Sequence, residues 1–394
     1  MSRSTHPLLY FDNNATTALD PAVLDAMLPY LTELYGNPSS AYSFAARVGR
    51  AVERAREQVA ALIGAEPREI IFTSCGSEGN NTAIASALAA DRDRKHIVTT
   101  GVEHSATKNY CGALARRGYE VTWLAVDALG RLDLGAAEEA IRDDTAVVSV
   151  MWANNETGVL YPVEELAQLA RAKGAFFHTD AVQALGKVPV DVKRAPIHFL
   201  SLAGHKLHAP KGVGALYVDR RCRFTPFLIG GSQENGRRGG TENVPGIVAL
   251  GKAAELAQAA LPAESTTVKV LRDRFEQAVL AQIPGAAVNG DPIDRLPNTS
   301  NLHLPGVESE ALLVLLDKAG LCASAGSACT AGSLHPSHAL TAMGFSTERA
   351  RSSLRFSFGR FNTLDEIERG IRIVCESVMR LRAELAPKPL AAVA

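Results

Sequence analysis

The chain has 394 residues, 46% hydrophobic and 21% charged, the composition of an ordinary folded protein with room for one large domain and a smaller one. Lysine and arginine total 41 against 42 acidic residues, a formal charge of -1, so long-range attraction to nucleic acid or an anionic membrane is not expected. No apolar run approaches a membrane span, and Met1–Leu9 lacks the charged-then-apolar order of a secretory leader, which makes a cytoplasmic protein the expectation.

The first helical pattern is Pro21–Leu34. Short β-rich runs then alternate with helical segments. They read as strand Ile70–Thr73, helix Asn80–Ala90, strand His96–Thr100, helix Ala106–Arg117, strand Val121–Val126 and helix Leu134–Arg142. Strand Ala146–Ala153, helix Val163–Lys173 and strands Phe176–Asp180, Phe199–Ala203 and Gly214–Val218 follow. Several of these strands are nearly unbroken apolar runs, as strands buried on both faces must be. The alternation argues for an α/β fold with a mostly parallel sheet, whose ligands bind beyond the carboxyl ends of the strands. From about Ala249 the pattern changes to a long helical stretch, Ala249–Ile283, then strand Asn298–Leu304 and helix Ser309–Ala319. A loop rich in Gly, Ser and Ala, strand Ser353–Ser357 and helix Leu364–Leu385 complete a second, α+β region.

Three segments that follow strands carry candidate chemistry. Phe72-Thr-Ser-Cys-Gly-Ser-Glu-Gly-Asn-Asn81 sets small residues between a strand and a helix, where free N–H groups and the helix dipole favour a phosphate; an ordinary helix cap uses the same residues. Phe177-His-Thr-Asp-Ala-Val-Gln183 leaves Asp180 at the end of an apolar run. A half-buried carboxylate needs a partner, and a protonated pyridine nitrogen is one such partner, a helix N–H another. Ser201-Leu-Ala-Gly-His-Lys206 ends a strongly apolar strand in a lysine, and burial can lower a lysine pKa enough to make it a Schiff-base former. Each alone is weak; their order after three strands makes the stronger case.

The six cysteines are scattered and none forms a C-x-x-C pair, so a disulfide framework is not expected in a cytosolic chain. Cys322, Cys329, His335 and His338 cluster in sequence, but their spacing fits no common structural zinc site. Cys329 lies in a segment of small residues with few apolar anchors, the composition of a mobile loop.

Nearly the whole chain resembles the NifS/IscS-type cysteine desulfurases of the class V aminotransferase group, closer to the NifS branch. The resemblance rests on Tyr10-Phe-Asp-Asn-Asn-Ala-Thr-Thr17, Gly36-Asn-Pro-Ser-Ser40, Val102-Glu-His104, Ala153-Asn-Asn-Glu-Thr-Gly158, Gly239-Gly-Thr-Glu-Asn243, Gly-Ser-Ala-Cys-Thr around Cys329, and Leu354-Arg-Phe-Ser-Phe-Gly-Arg360. It implies a fold-type I pyridoxal phosphate enzyme. Residues 15–255 would form the large domain, and residues 1–14 with 256–394 the small one, which carries the cysteine loop at about 322–338. Other class V enzymes, such as a selenocysteine lyase, an aminotransferase or a kynureninase-like enzyme, share the lysine and aspartate; a non-catalytic scaffold on the same fold is a reading of a different class, and a zinc protein is the third.

By resemblance, Lys206 carries the cofactor, Asp180 pairs with its ring nitrogen, Gln183 meets the ring oxygen and His104 stacks on the ring and transfers protons. Gly76, Ser77 and His205 hold the phosphate, Ala203 and Gly204 belong to the cofactor site, and Thr241 reaches the phosphate from the other subunit of a homodimer with shared active sites. Asn155 and Arg355 lie near the ring and the carboxylate of L-cysteine. Cys329 takes the sulfur as a persulfide and passes it to an iron–sulfur scaffold protein, in transient contact with the nascent cluster. One departure stands out: Ala203 occupies the position where the family usually has a phosphate-binding serine, so weaker cofactor retention is expected.

Overall fold

The computed structural model describes residues 8–326 and 336–385. After a two-residue strand β1 (Leu9–Tyr10), the chain builds its main sheet from β2 (Ile70–Thr73), β3 (His96–Thr100), β4 (Glu120–Leu124), β5 (Thr145–Ser149), β6 (Phe176–Asp180), β7 (Phe199–Ala203) and β8 (Gly214–Val218). Their order is β2-β8-β7-β6-β5-β3-β4. Only β8 runs against the others, pairing antiparallel with β2 and β7; the remaining pairs are parallel. Every residue of β2, β3, β5, β7 and β8 is buried, which is why several of them read as nearly unbroken apolar runs. At the edge, β4 has just one buried residue, Leu124.

The expected strand Ala146–Ala153 leaves the ladder after Ser149, and its last residues instead turn over the carboxyl end of the sheet. The helix expected from Asn80 begins at Gly76, so the small residues that resembled a cap form its first turn. Pro29 divides the first helical pattern into Pro21–Met27 and Pro29–Thr32, since proline cannot supply the N–H of a helix interior. Helix Ser43–Leu62 was not foreseen. Its buried residues Val48, Val52, Ala55 and Val59 recur at helical spacing, but arginines and glutamates crowd the intervening positions.

Helix Val244–Gln282 links two apolar cores. Ile247, Leu250 and Ala254 pack with the main sheet; beyond Pro262 and a π-turn at Glu264–Val268, Leu271, Phe275 and Val279 pack in the second core. By length and composition this helix matches a membrane span, contrary to the expectation that no segment would, yet half of its most apolar window is buried inside the protein. The second core includes Leu9 and Phe11 with Phe356 and Phe358. It covers β9 (Ala287–Val288), β10 (Thr299–His303) and β12 (Ser353–Ser357), in sheet order β12-β10-β9, while β1 pairs in parallel with β11 (Leu321–Cys322).

Candidate active site

The segments following β2, β3, β5, β6 and β7 converge at the carboxyl end of the sheet around a cavity of about 180 Å³. Its lining brings together Gly76, Ser77, His104, Asn155, Asp180, Gln183, Ala203, His205, Lys206 and Arg355. These residues come from six separate stretches of chain, which is what the rule for parallel sheets requires of a site.

Helix Gly76–Ala90 points its N-terminus at the cavity, with Cys75 as the preceding residue. A Cβ added at Gly76 would stand 2.9 Å from Val182 Cγ2, so glycine is needed for the helix to approach β6 this closely. Asn80, on the same helix, donates from Nδ2 to Asp180 Oδ2 at 2.7 Å, and the Val182 N–H donates to Oδ1 at 3.0 Å. These bonds meet the requirement that a buried carboxylate be hydrogen-bonded. Asp180 is 7% exposed.

Lys206 follows β7 in a single turn, Gly204–Lys206. Its Nζ donates to the carbonyls of Asn14 and Ala15, the latter at 2.7 Å. Gln183 Nε2 donates to the same Asn14 oxygen at 2.9 Å. Gly204 is buried beneath, where a Cβ would lie 3.0 Å from Val213 Cγ1; it shapes the turn and is outside the cavity lining. Burial, reinforced by Lys206 and Lys211, pushes His205 down to about 4, leaving a neutral imidazole whose Nδ1 lies 3.2 Å from Thr16 Oγ1.

His104 caps helix Ser105–Ala115, its Nδ1 accepting from the Ala106 N–H at 3.1 Å; in the neutral ring Nε2 therefore carries the proton. Arg355, on β12, is 1% exposed. It donates from Nη1 to the Asn155 carbonyl at 2.9 Å and from Nη2 to Asp12 Oδ1 at 2.7 Å.

Besides Gly204, one expected residue among the described ones stands apart from this cluster. Thr241 is exposed and does not line the cavity of its own chain. Its segment is tied to the cavity helix by Arg238, which donates to Glu78 at 2.8 and 3.1 Å. Cys329 and His335 lie outside the described residues. His338 donates from Nε2 to the Glu103 carbonyl at 2.9 Å, and among the described residues no group of three or more His, Cys, Asp or Glu is arranged to hold a metal ion. Asn14, Asn80 and Asp12 were missed as site residues, although all three stand inside segments singled out in the sequence.

The model of the aminotransferase class-V family matches residues 9–369. The chain belongs to that family. As a class-V chain it is 56% identical over 376 residues to "Cysteine desulfurase 2" of Trichormus variabilis, covering 95% of this chain and 94% of the relative. It is 55% identical to "Cysteine desulfurase NifS" of Azotobacter vinelandii, covering 95% and 93%. A solved NifS-like protein superposes with a TM-score of 0.89 at 34% identity, covering 95% of this class-V chain and 100% of that one. The α/β fold with its mostly parallel sheet is thus the fold of that family.

Proposed function

We propose that the chain is a cysteine desulfurase, which holds pyridoxal 5'-phosphate on Lys206 and converts L-cysteine to L-alanine while Cys329 takes the sulfur. The observation that carries this reading is the meeting of Lys206, Asp180 and the N-terminus of helix Gly76–Ala90 around one cavity. That donor set fits the cofactor. An amine stands ready for its aldehyde, a carboxylate held by two hydrogen bonds for its ring nitrogen, and a helix N-terminus for its phosphate. Relatives at 56% and 55% identity that bear the name cysteine desulfurase support the same activity.

When bound, the cofactor supplies an electron sink at the substrate Cα. Asp180 keeps the ring nitrogen protonated, and Gln183 offers Nε2 to the ring oxygen. Gly76, Ser77 and His205 hold the phosphate through N–H and O–H donors, with Ala203 supplying none. Arg355 pairs with the substrate carboxylate, as a guanidinium suits a bidentate acceptor. With the cofactor bound, Lys206 would be the base that takes the Cα proton, and His104 would move a second proton at the substrate. The Cys329 thiolate then attacks the substrate sulfur. The new S–S bond forms as Cβ–S breaks, the electron pair stays with the carbon skeleton, a proton is taken up at Cβ, and alanine leaves.

The described flanks of the 327–335 segment support this role for Cys329. Ser324 exchanges backbone hydrogen bonds with Arg355 at 3.2 and 2.7 Å, and Ser337 donates to Glu156, the neighbour of Asn155. One flank is therefore tied to a cavity residue and the other to the neighbour of one. Thr241, exposed on its own chain, is assigned to the phosphate of the partner site in a homodimer. The two separate apolar cores support a large domain of residues 15–255 with the remainder as the small domain. A cytoplasmic location is in keeping with the free thiols at Cys75, Cys111, Cys222, Cys322 and Cys375. The sulfur acceptor is an iron–sulfur scaffold protein, with the Cys329 persulfide passing transiently beside the nascent cluster.

The test is a mass spectrum after addition of L-cysteine. One added sulfur on the Cys329 peptide, with alanine released, is the expected result. A Cys329→Ser protein that releases sulfide at the parental rate overturns the persulfide role. A visible absorption band that survives Lys206→Ala overturns the role of the lysine.

A further inference from the structure

We infer that Asp12 is a positioning residue that holds Arg355 in the one orientation able to receive a ligand carboxylate. The inference rests on the proposed function and deepens it, since it concerns how the same site selects α-amino acids over simple amines.

Arg355 is nearly sealed from solvent at 1% exposure, and a buried charge that lacks a counter-charge is strongly unfavourable. Its counter-charge is Asp12, which accepts from Nη2 at 2.7 Å. The second anchor, Nη1 to the Asn155 carbonyl at 2.9 Å, fixes the plane of the guanidinium. A guanidinium has five N–H donors in a rigid fork, so two anchors leave donors over. Among the described residues, the buried Nε of Arg355 has no hydrogen-bond partner. A buried donor without an acceptor is destabilising, and Arg355 lines the cavity. A carboxylate arriving through the cavity supplies the missing acceptor.

The placement of Asp12 suits it to hold and not to compete. Its other oxygen, Oδ2, accepts from Ser324 Oγ at 2.8 Å, so both carboxylate oxygens are engaged. Its backbone is fixed as well. Asp12 bridges Ser357 in parallel, and its neighbours bond across to Cys322 and Ser357: the Phe11 N–H to the Cys322 carbonyl at 3.0 Å, and the Ser357 N–H to the Phe11 carbonyl at 2.8 Å. A carboxylate pinned by two partners on a paired segment does not swing toward the cavity to take the place of the ligand. Asp12, Ser324 and Arg355 thus form a strut behind the carboxylate subsite.

The experiment uses the holoenzyme and a matched pair of amines, L-alanine and ethylamine, which differ by the carboxylate alone. Dissociation constants are read from the change in the cofactor absorption band. Asp12→Ala is expected to weaken L-alanine by at least ~10-fold and to leave ethylamine within ~2-fold, since only the carboxylate contact depends on the strut. Asp12→Asn keeps an oxygen acceptor for Nη2 and is expected to restore L-alanine to within ~3-fold of the parent. Ser324→Ala, which frees Oδ2, is expected to weaken L-alanine by an intermediate factor, again without touching ethylamine. Equal weakening of both amines would mean general damage, and no weakening of either would mean no role; each result overturns the inference. If Asp12→Ala does not fold, Ser324→Ala decides, and an unchanged ratio of the two constants rejects the strut. A parental protein that shows no band change with either amine overturns the functional reading, and the inference with it.

Discussion

Lys187 donates from Nζ to both oxygens of Gln183, the main-chain carbonyl at 3.0 Å and the side-chain Oε1 at 3.3 Å. Lys187 is buried, and burial pushes its pKa down to about 8. A buried lysine is rare unless something holds it there. What it does for Gln183 is settle the amide. With Oε1 turned to the ammonium, Nε2 faces the other way and donates to the Asn14 carbonyl, the same oxygen that receives Lys206. Lys187→Met keeps the length and removes the donor, so the amide is free to flip. Cofactor retention is expected to fall roughly tenfold, the equivalent of about 1.4 kcal/mol. Dissociation of pyridoxal phosphate followed by fluorescence measures this, and an unchanged constant rejects the link.

Ala203 lines the cavity, and its Cβ lies 3.6 Å from the point where a side chain on Gly76 would begin. A hydroxyl at 203 would therefore sit beside the helix N-terminus assigned to the phosphate. A hydrogen bond to a charged group contributes roughly 1.5–3 kcal/mol. Ala203→Ser is expected to hold the cofactor roughly 10- to 100-fold more tightly, with turnover little changed. Release of the cofactor into excess scavenger is the measurement, and a variant that releases it as fast as the parent disproves the expectation.

The parts of the molecule legible in the sequence are those whose signal is local. Strands such as β2 and β8, buried at every residue, read as nearly unbroken apolar runs. Lys206, Asp180 and Gly76 were found because each directly follows such a run. Asn80 and Asp12 were missed because their partners, Asp180 and Arg355, are 100 and 343 residues away; nothing in a local window announces such a pair. The strands β1, β9 and β11 have two residues each, too few for a period to show. Helix Ser43–Leu62 had the right spacing, but Arg56 sits among its buried positions, paired with Glu234 at 2.7 and 2.8 Å. An arginine there hides an apolar stripe until its distant partner is known. Cys329 stands on resemblance together with the flanks at Ser324 and Ser337.

Glu103, next to His104, has no solvent exposure. Its Oε1 accepts from Thr100 Oγ1 at 3.0 Å and from the Met151 N–H at 2.9 Å, while Oε2 has no partner among the described residues. Burial, aided by the charge of Asp180, pushes its carboxyl up to about 8 from 4.5. The folded chain therefore keeps a proton that the unfolded chain releases as pH rises above 4.5. Stability present below that value is lost progressively up to about pH 8. Glu103→Gln is permanently neutral and has no such dependence. It is expected to melt close to the parent near pH 5 and to be more stable, on the order of a few kcal/mol, near pH 8. Melting curves at the two pH values decide; a gap of the same size at both rejects the protonated buried acid.

Shared active sites can be tested by mixing two lesions. Thr241 is exposed on its own chain, yet the Arg238–Glu78 pair ties its segment to the helix that begins at Gly76. If Thr241 serves the partner's phosphate, Lys206→Ala and Thr241→Ala complement each other. In a dimer with one lesion per subunit, the chain carrying Thr241→Ala still has its own Lys206 and receives Thr241 from its partner. That site is intact, and the other carries both lesions. Heterodimers purified through two different tags are expected to bind one cofactor per dimer, released at the parental rate. If Thr241 acts on its own chain, no intact site exists, and the single bound cofactor leaves at the faster rate of the Thr241→Ala homodimer. The release rate separates the two arrangements without relying on turnover, because a site lacking Lys206 forms no Schiff base to be counted.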